Sequence, residues 1–193
     1  MSERVASATG PEGFPRAGLP EVAILGRSNV GKSSLLNRLA GRKKLAFASG
    51  KPGTTRLLHF YRVERRSGPL LLVDLPGYGF AKVAKLERAQ WRKLIESYLD
   101  GRAALRACVL LQDLRRDVSE DETLLLAWLA ERGIPAVVAI TKCDKLASAR
   151  RAERAAELAQ TFDLASERVV ATSARTGAGV AELWRAIEAA SGR

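Results

Sequence analysis

The stretch Gly26-Arg27-Ser28-Asn29-Val30-Gly31-Lys32-Ser33 decides the fold. Residues 21–25, just before it, form an apolar run that reads as a buried strand. Just after it, Leu35, Leu36 and Leu39 fall on one face of a helix. A glycine-rich turn between strand and helix lets successive N–H groups point inward at phosphate oxygens, with the positive helix end behind them. Lys32 then reaches terminal phosphates, and the Ser33 hydroxyl, followed by Ser34, suits Mg²⁺. A turn that merely joins strand to helix would have the same spacing, so the downstream sequence has to decide.

Two more short words follow in the right order. Asp74-Leu75-Pro76-Gly77 comes after the apolar run 70–73. Asp74 can hold a Mg²⁺-bound water there, and the Gly77 amide can meet a γ-phosphate. Thr141-Lys142-Cys143-Asp144 comes after the run 136–140. The Asp144 carboxylate can accept both N1–H and N2–H₂ of guanine, with Lys142 along the base plane. Adenine has no donors on that edge and would leave the carboxylate unpaired, a loss of about 1–3 kcal/mol or more. The usual first residue of this motif is Asn, and Thr141 stands in its place. Thr172-Ser173-Ala174, after the run 169–171, offers a backbone N–H to guanine O6. Together these words select GTP and GDP over ATP and disfavour a P-loop kinase or ATPase.

Strand-like runs at 21–25, 57–63, 70–73, 107–111, 136–140 and 169–171 alternate with helical patterns. Trp91, Leu94, Ile95 and Tyr98 share one face; so do Leu124, Leu125, Trp128 and Leu129, and so do Val180, Leu183, Trp184 and Ile187. Ser119 to Glu122 fits a capping box, with Gly133 and Pro135 ending that helix. An Arg- and Ala-rich segment at 147–162, with a thin stripe of Ala155, Leu158 and Phe162, reads as a solvated outer helix. The pattern predicts an α/β chain, a mostly parallel sheet with helices on both faces, with ligands at the carboxyl ends of the strands. Residues 1–20 are expected to be a flexible lead-in, and 21–193 one nucleotide-binding domain. The lead-in has no apolar core and carries Glu3 and Glu12, so it does not read as a signal peptide. No apolar run approaches a membrane span. Cys108 and Cys143 lack metal or disulfide spacing and are expected to stay reduced in the cytoplasm. The single histidine, His59, reads as a strand residue, and it leaves no material for His-based zinc or Ser-His-Asp chemistry.

Residues Gly26 to Asn37, Pro52-Gly53 and above all Val73-Asp-Leu-Pro-Gly-Tyr-Gly-Phe-Ala-Lys-Val83 resemble the EngB (YihA/YsxC) ribosome-biogenesis GTPases. The Thr-Lys-Cys-Asp form of the guanine motif is typical of that family. The resemblance implies a P-loop GTPase fold and a monomeric GTPase that assists assembly of the large ribosomal subunit, with the family's link to cell division and septation. It also implies GTP contacts from Gly53, Thr54, Thr55, Arg56 and Leu57, among which the family spacing favours Thr55 as the second Mg²⁺ ligand. Lys32, Thr55 and Asn29 are then the candidate catalytic residues. Some positions depart from the family. Lys51 stands where Thr is common and Arg56 where Gln is usual, and the residues after Asp113 lack the His and Pro often found there.

Charge bears independently on partners. The net charge is +11, with nine basic residues from Arg38 to Arg66 against Glu64, and five from Lys82 to Lys93 against Glu87. Both stretches overlap the segments expected to respond to a γ-phosphate, as a GTP-gated binder of rRNA or a pre-ribosome requires. A merely solvated basic face is the competing reading, and no basic amphipathic helix supports a membrane. Two functions stay open: a slow GTPase switch on the large subunit, or a ribosome-binding module using GTP as a structural ligand. Another assembly or tRNA-modification GTPase stands behind them. Tyr78 keeps the second alive, because a phenol occupies the place where Ras-like enzymes carry a water-orienting glutamine. Asn29 is a candidate K⁺ ligand that would supply the missing charge, or else a brace for its own loop.

Overall fold

The strand β2 (Glu21–Gly26) is buried at every position and lies between β4 (Leu70–Asp74) and β5 (Leu105–Asp113), parallel to both. The computed structural model describes residues 2–16, 18–46, 57–78 and 85–192. Its remaining strands are β1 (Glu3–Ala8), β3 (Leu58–Val63), β6 (Ala136–Thr141) and β7 (Val169–Ala171). Among the described residues the sheet order is β1-β3-β4-β2-β5-β6-β7, antiparallel at β1–β3 and β3–β4 and parallel elsewhere. The helices are α1 (Lys32–Leu39), α2 (Lys85–Leu99), α3 (Glu120–Glu131), α4 (Ser148–Thr161) and α5 (Val180–Ala190).

Period-two alternation splits the buried strands between two cores. Ala23, Leu25, Val73, Leu110 and Val138 face Ile95, Tyr98, Leu129 and Leu158 of α2, α3 and α4. Val22, Ile24, Leu72, Val109 and Val137 face Leu35, Leu36, Leu183 and Ile187 of α1 and α5. The sheet is therefore covered on both sides. Strand order reverses around β2, so the loops after β2, β4, β5 and β6 open into one crevice at their carboxyl ends.

The α4 stripe is as expected: Leu158 and Phe162 are buried and Ala155 partly so. The predicted face of α3 needs correction, since Leu124 is 60% exposed whereas Glu122 is fully buried. Glu122, Leu125, Leu126 and Leu129 make the inner face, so a carboxylate occupies a place that hydrophobicity alone cannot assign. Left-handed Gly133 (φ 64°) ends α3, with its N–H on Ala130 and that of Ile134 on Leu129. Trp184 is buried with Arg65 over its ring, and Trp128 is half-buried beneath Arg132. The side chain of Trp91 lies outside the described residues.

The flexible lead-in is corrected as well. Glu3–Ala8 pairs with β3 as an antiparallel edge strand, broken by a bulge between Arg4 and Ala6. Only one of its residues is buried, and its short Val-Ala-Ser-Ala content gives little apolar signal. Beyond it, Phe14 packs edge-on against Tyr98, and Arg102 donates to the Pro15 carbonyl at 2.7 Å. Arg102 and Tyr98 also converge on the fully buried Glu21, so ionic contacts tie this segment to the start of β2.

Candidate nucleotide-binding site

Residues 26–33 form the turn from β2 to α1. Asn29 (φ 63°) and Gly31 (φ 104°) are both left-handed, and Gly31 stands as the N-cap of α1. Alternating backbone handedness of this kind turns N–H groups toward a common concavity, and Asn and Gly tolerate it best. Lys32, the first residue of α1, hydrogen-bonds Asp74 at the end of β4. Ser33 and Ser34 follow in the same first turn.

The Asp74–Gly77 loop lies directly on this turn. Tyr78 donates its N–H to the Gly26 carbonyl at 3.3 Å, and Ser28 donates to the Tyr78 carbonyl at 3.0 Å. A Cβ on Gly77 would stand 3.2 Å from Gly26 O and 3.3 Å from Ser28 N, so only glycine fits without a shift. Leu75 is buried in the core and anchors the loop, while Pro76 is partly exposed.

The guanine-motif residues brace the same turn from the other side. Thr141 is buried, and its hydroxyl lies 2.7 Å from the Val30 carbonyl and 3.2 Å from that of Gln112. The missing Asn is thereby accounted for: a hydroxyl reaches the phosphate loop from this position. Lys142, itself left-handed (φ 61°), donates Nζ to the Asn29 carbonyl at 2.6 Å and to Asp113 Oδ2 at 2.9 Å. Burial pushes the Asp113 carboxyl up, but hydrogen bonds from Arg115 and Lys142 outweigh it and hold the group far below the usual carboxylate range.

Asp144 accepts from the Ser173 hydroxyl at 2.6 Å and from Arg175 Nε at 2.9 Å, and the Ser173 bond leads in holding its carboxyl below the ordinary value. Cys143 is buried and donates its N–H to the Thr172 carbonyl at 3.1 Å. Ser173 donates its own N–H to Ala178 at 2.9 Å. Arg38 of α1 holds the loop by donating to the carbonyls of Ala174 (3.0 Å) and Arg175 (2.9 Å).

The structure thus brings the 26–34 turn, residues 74–77, residues 141–144 and residues 172–174 to one crevice. Gly53, Thr54, Thr55 and Arg56 lie outside the described residues, and half-buried Leu57 leads into β3. Among the described residues no group of three or more His, Cys, Asp or Glu could hold a metal. The hard oxygens of Ser33 and Asp74 suit Mg²⁺ only if phosphate and water complete its shell. Asp113, Glu122 and Arg38 are missing from the sequence-derived site. Asp113 was readable only as a carboxylate ending a strand, and Glu122 only as half of a capping box.

The 50S ribosome-binding GTPase family matches residues 21–142. The probable GTP-binding protein EngB of Geobacter sulfurreducens is 46% identical over 188 residues, covering 97% of this chain and 90% of that protein. The chain belongs to the EngB family. It is accordingly a GTP-binding protein and a GTPase. A crystal structure of a probable GTP-binding protein EngB has 26% identity and a TM-score of 0.68, covering 88% of this chain and 97% of that one. Era in complex with MgGDPNP and nucleotides 1506–1542 of 16S ribosomal RNA is 26% identical with a TM-score of 0.69, covering 87% of this chain and 55% of that one. No helix among the described residues is long and apolar enough to cross a membrane.

Proposed function

We propose that this EngB-family protein is a slow GTPase switch that assists assembly of the large ribosomal subunit, acting on rRNA or the pre-ribosome in the cytoplasm as a monomer. The observation that supports the reading is that Lys142, two residues before Asp144 in the guanine motif, reaches the Asn29 carbonyl of the 26–34 turn and Asp113. In this reading, residues 26–34 bind the phosphates, Lys32 leaves Asp74 to meet the terminal ones, and Asp144 takes the guanine edge with Lys142 along its face. Cys143 and residues 172–174 shape the base pocket, with the Ala174 amide toward O6. Ser33 and Thr55 would hold Mg²⁺, with Asp74 holding it through water. Mg²⁺, when bound, offsets phosphate charge. Gly53, Thr54, Arg56 and Leu57 would join Thr55 in binding GTP, and the Gly77 amide would meet the γ-phosphate.

Ribosome binding rests on exposed Arg42, Lys43 and Lys44, on the 50S ribosome-binding family match, and on a structural neighbour seen with ribosomal RNA. A part in cell division and septation would follow from that assembly role. The second reading, GTP as a structural ligand, is favoured by one observation. The Tyr78 hydroxyl is bonded to Glu122, so it does not replace a water-orienting glutamine. Co-sedimentation with large subunits in GTP, GDP and a non-hydrolysable analogue, with turnover measured in parallel, separates the two. A switch binds in one nucleotide state and turns over faster with subunits; equal binding in all states with negligible turnover would leave the structural-ligand reading.

A further inference from the structure

Behind the phosphate loop, three parts of the chain meet at Glu122. Its carboxylate is fully buried in the first turn of α3. One oxygen accepts the Ser119 N–H at 2.8 Å and the Ser119 hydroxyl; the other accepts the Tyr78 hydroxyl at 3.0 Å. Arg27 donates Nη1 to Ser119 Oγ at 3.1 Å and stands 3.9 Å from the carboxylate. A cap needs only the Ser119 contacts and works well at the surface. Taking a carboxylate fully out of water is costly unless other donors compensate. Beyond the cap, the Arg27 guanidinium stands near, and the hydrogen bond comes from Tyr78, the residue after Gly77.

Tyr78 is gripped at both ends. Its backbone is hydrogen-bonded to Gly26 and Ser28, and its ring runs through the core to α3. Gly77 has no slack toward the phosphate loop, as the 3.2 Å and 3.3 Å approaches of a Cβ there show. Burial first, and then Glu122, pushes the Tyr78 phenol far above its ordinary value, so it stays a donor at any working pH. A displacement of Tyr78 is therefore felt at the Gly77 amide and at the head of α3 together.

We propose that Glu122 is a positioning residue for nucleotide-state discrimination: it fixes Tyr78, and through Tyr78 the Gly77 amide, linking that loop to α3. The proposal rests on the reading that Gly77 meets the γ-phosphate. GDP lacks that contact, so loss of the anchor separates GTP from GDP, whereas a merely structural role would weaken both alike.

The test measures affinity for GDP and for a non-hydrolysable GTP analogue in Tyr78→Phe, Glu122→Gln, the double variant and Gly77→Ala. Tyr78→Phe keeps the ring and removes only the hydroxyl. It is expected to keep GDP affinity and lower the analogue-to-GDP affinity ratio about 5-fold. Glu122→Gln gives the same direction, and the double variant loses no more than the worse single one. An unchanged ratio in Tyr78→Phe overturns the proposal, as do losses that multiply in the double variant. Should Glu122→Gln fail to fold, Tyr78→Phe decides alone. Gly77→Ala separates the two layers. If it lowers the ratio while Tyr78→Phe does not, only the coupling is wrong; if it leaves the ratio intact, the γ-phosphate reading and the proposal both fall.

Discussion

The Thr141 hydroxyl lies 2.7 Å from the Val30 carbonyl, joining the guanine motif to the phosphate loop across the carboxyl end of β6. Both groups are buried, so removing the donor leaves a carbonyl without its partner. Thr141→Val keeps the shape and is expected to destabilise the fold by about 1–3 kcal/mol. It should also weaken GTP and GDP to a similar degree, because the loop serves both. Thermal unfolding and nucleotide titration check this; a loss confined to GTP would assign Thr141 to γ-phosphate sensing instead.

Asp144 carries the base choice. Asp144→Asn presents an amide donor where guanine N2 also donates, so GTP affinity should fall and preference shift toward xanthine nucleotides. Competition between the two nucleotide series reads the change directly. Guanine selectivity that survives the substitution would remove Asp144 from the base pocket.

Asp113 gives a pH signature. Its carboxyl lies far below the usual range in the folded protein, chiefly because the Arg115 and Lys142 bonds outweigh burial. A depressed folded value adds stability above the unfolded value of about 3.9, and that stability is lost as pH falls below it. Asp113→Asn should therefore lower the melting temperature at neutral pH and flatten its decline below about pH 4. A melting curve that falls as steeply in acid as the wild type would show that Asp113 does not carry this dependence.

The sheet was legible because six of its strands are short apolar runs closed by turn residues, and the helices between them carry apolar residues at helical spacing. The site was legible where one residue type at one spacing serves one chemistry, as at Lys32, Asp74 and Asp144. What escaped was long-range and polar. β1 has a single buried residue and depends on β3 for its pairing. Glu122 reads as a surface cap until Tyr78, distant in sequence, is folded against it. Asp113 acquires its role only when Lys142 arrives from the next strand. Contacts between distant polar residues leave no periodicity to find.

Exposed Lys43 and Lys44 follow α1 in the chain. If this face meets rRNA backbone, ribosome affinity should fall steeply with salt, log K declining by roughly 0.7–0.9 per phosphate contact against log salt. Charge reversal at both lysines should weaken ribosome binding and reduce that slope while leaving GTP affinity unchanged. Salt-independent association would point to a protein surface of the subunit.

The remaining question is what neutralises charge between the β- and γ-phosphates, since Tyr78 is engaged with Glu122. An arginine supplied at that place is worth roughly 10³–10⁵ in rate, and a monovalent cation can fill the same position. Asn29 is exposed at the rim of the phosphate loop, left-handed, with its backbone carbonyl held by Lys142. Its side chain can offer an oxygen to K⁺ without disturbing that brace. Turnover should then be slow in Na⁺, rise in K⁺, and lose the rise in Asn29→Ala. The rise should persist in Lys43→Glu/Lys44→Glu, which touches the proposed rRNA face alone. Equal rates in Na⁺ and K⁺, with and without ribosomal subunits, would exclude the cation and leave the activating charge to the ribosome.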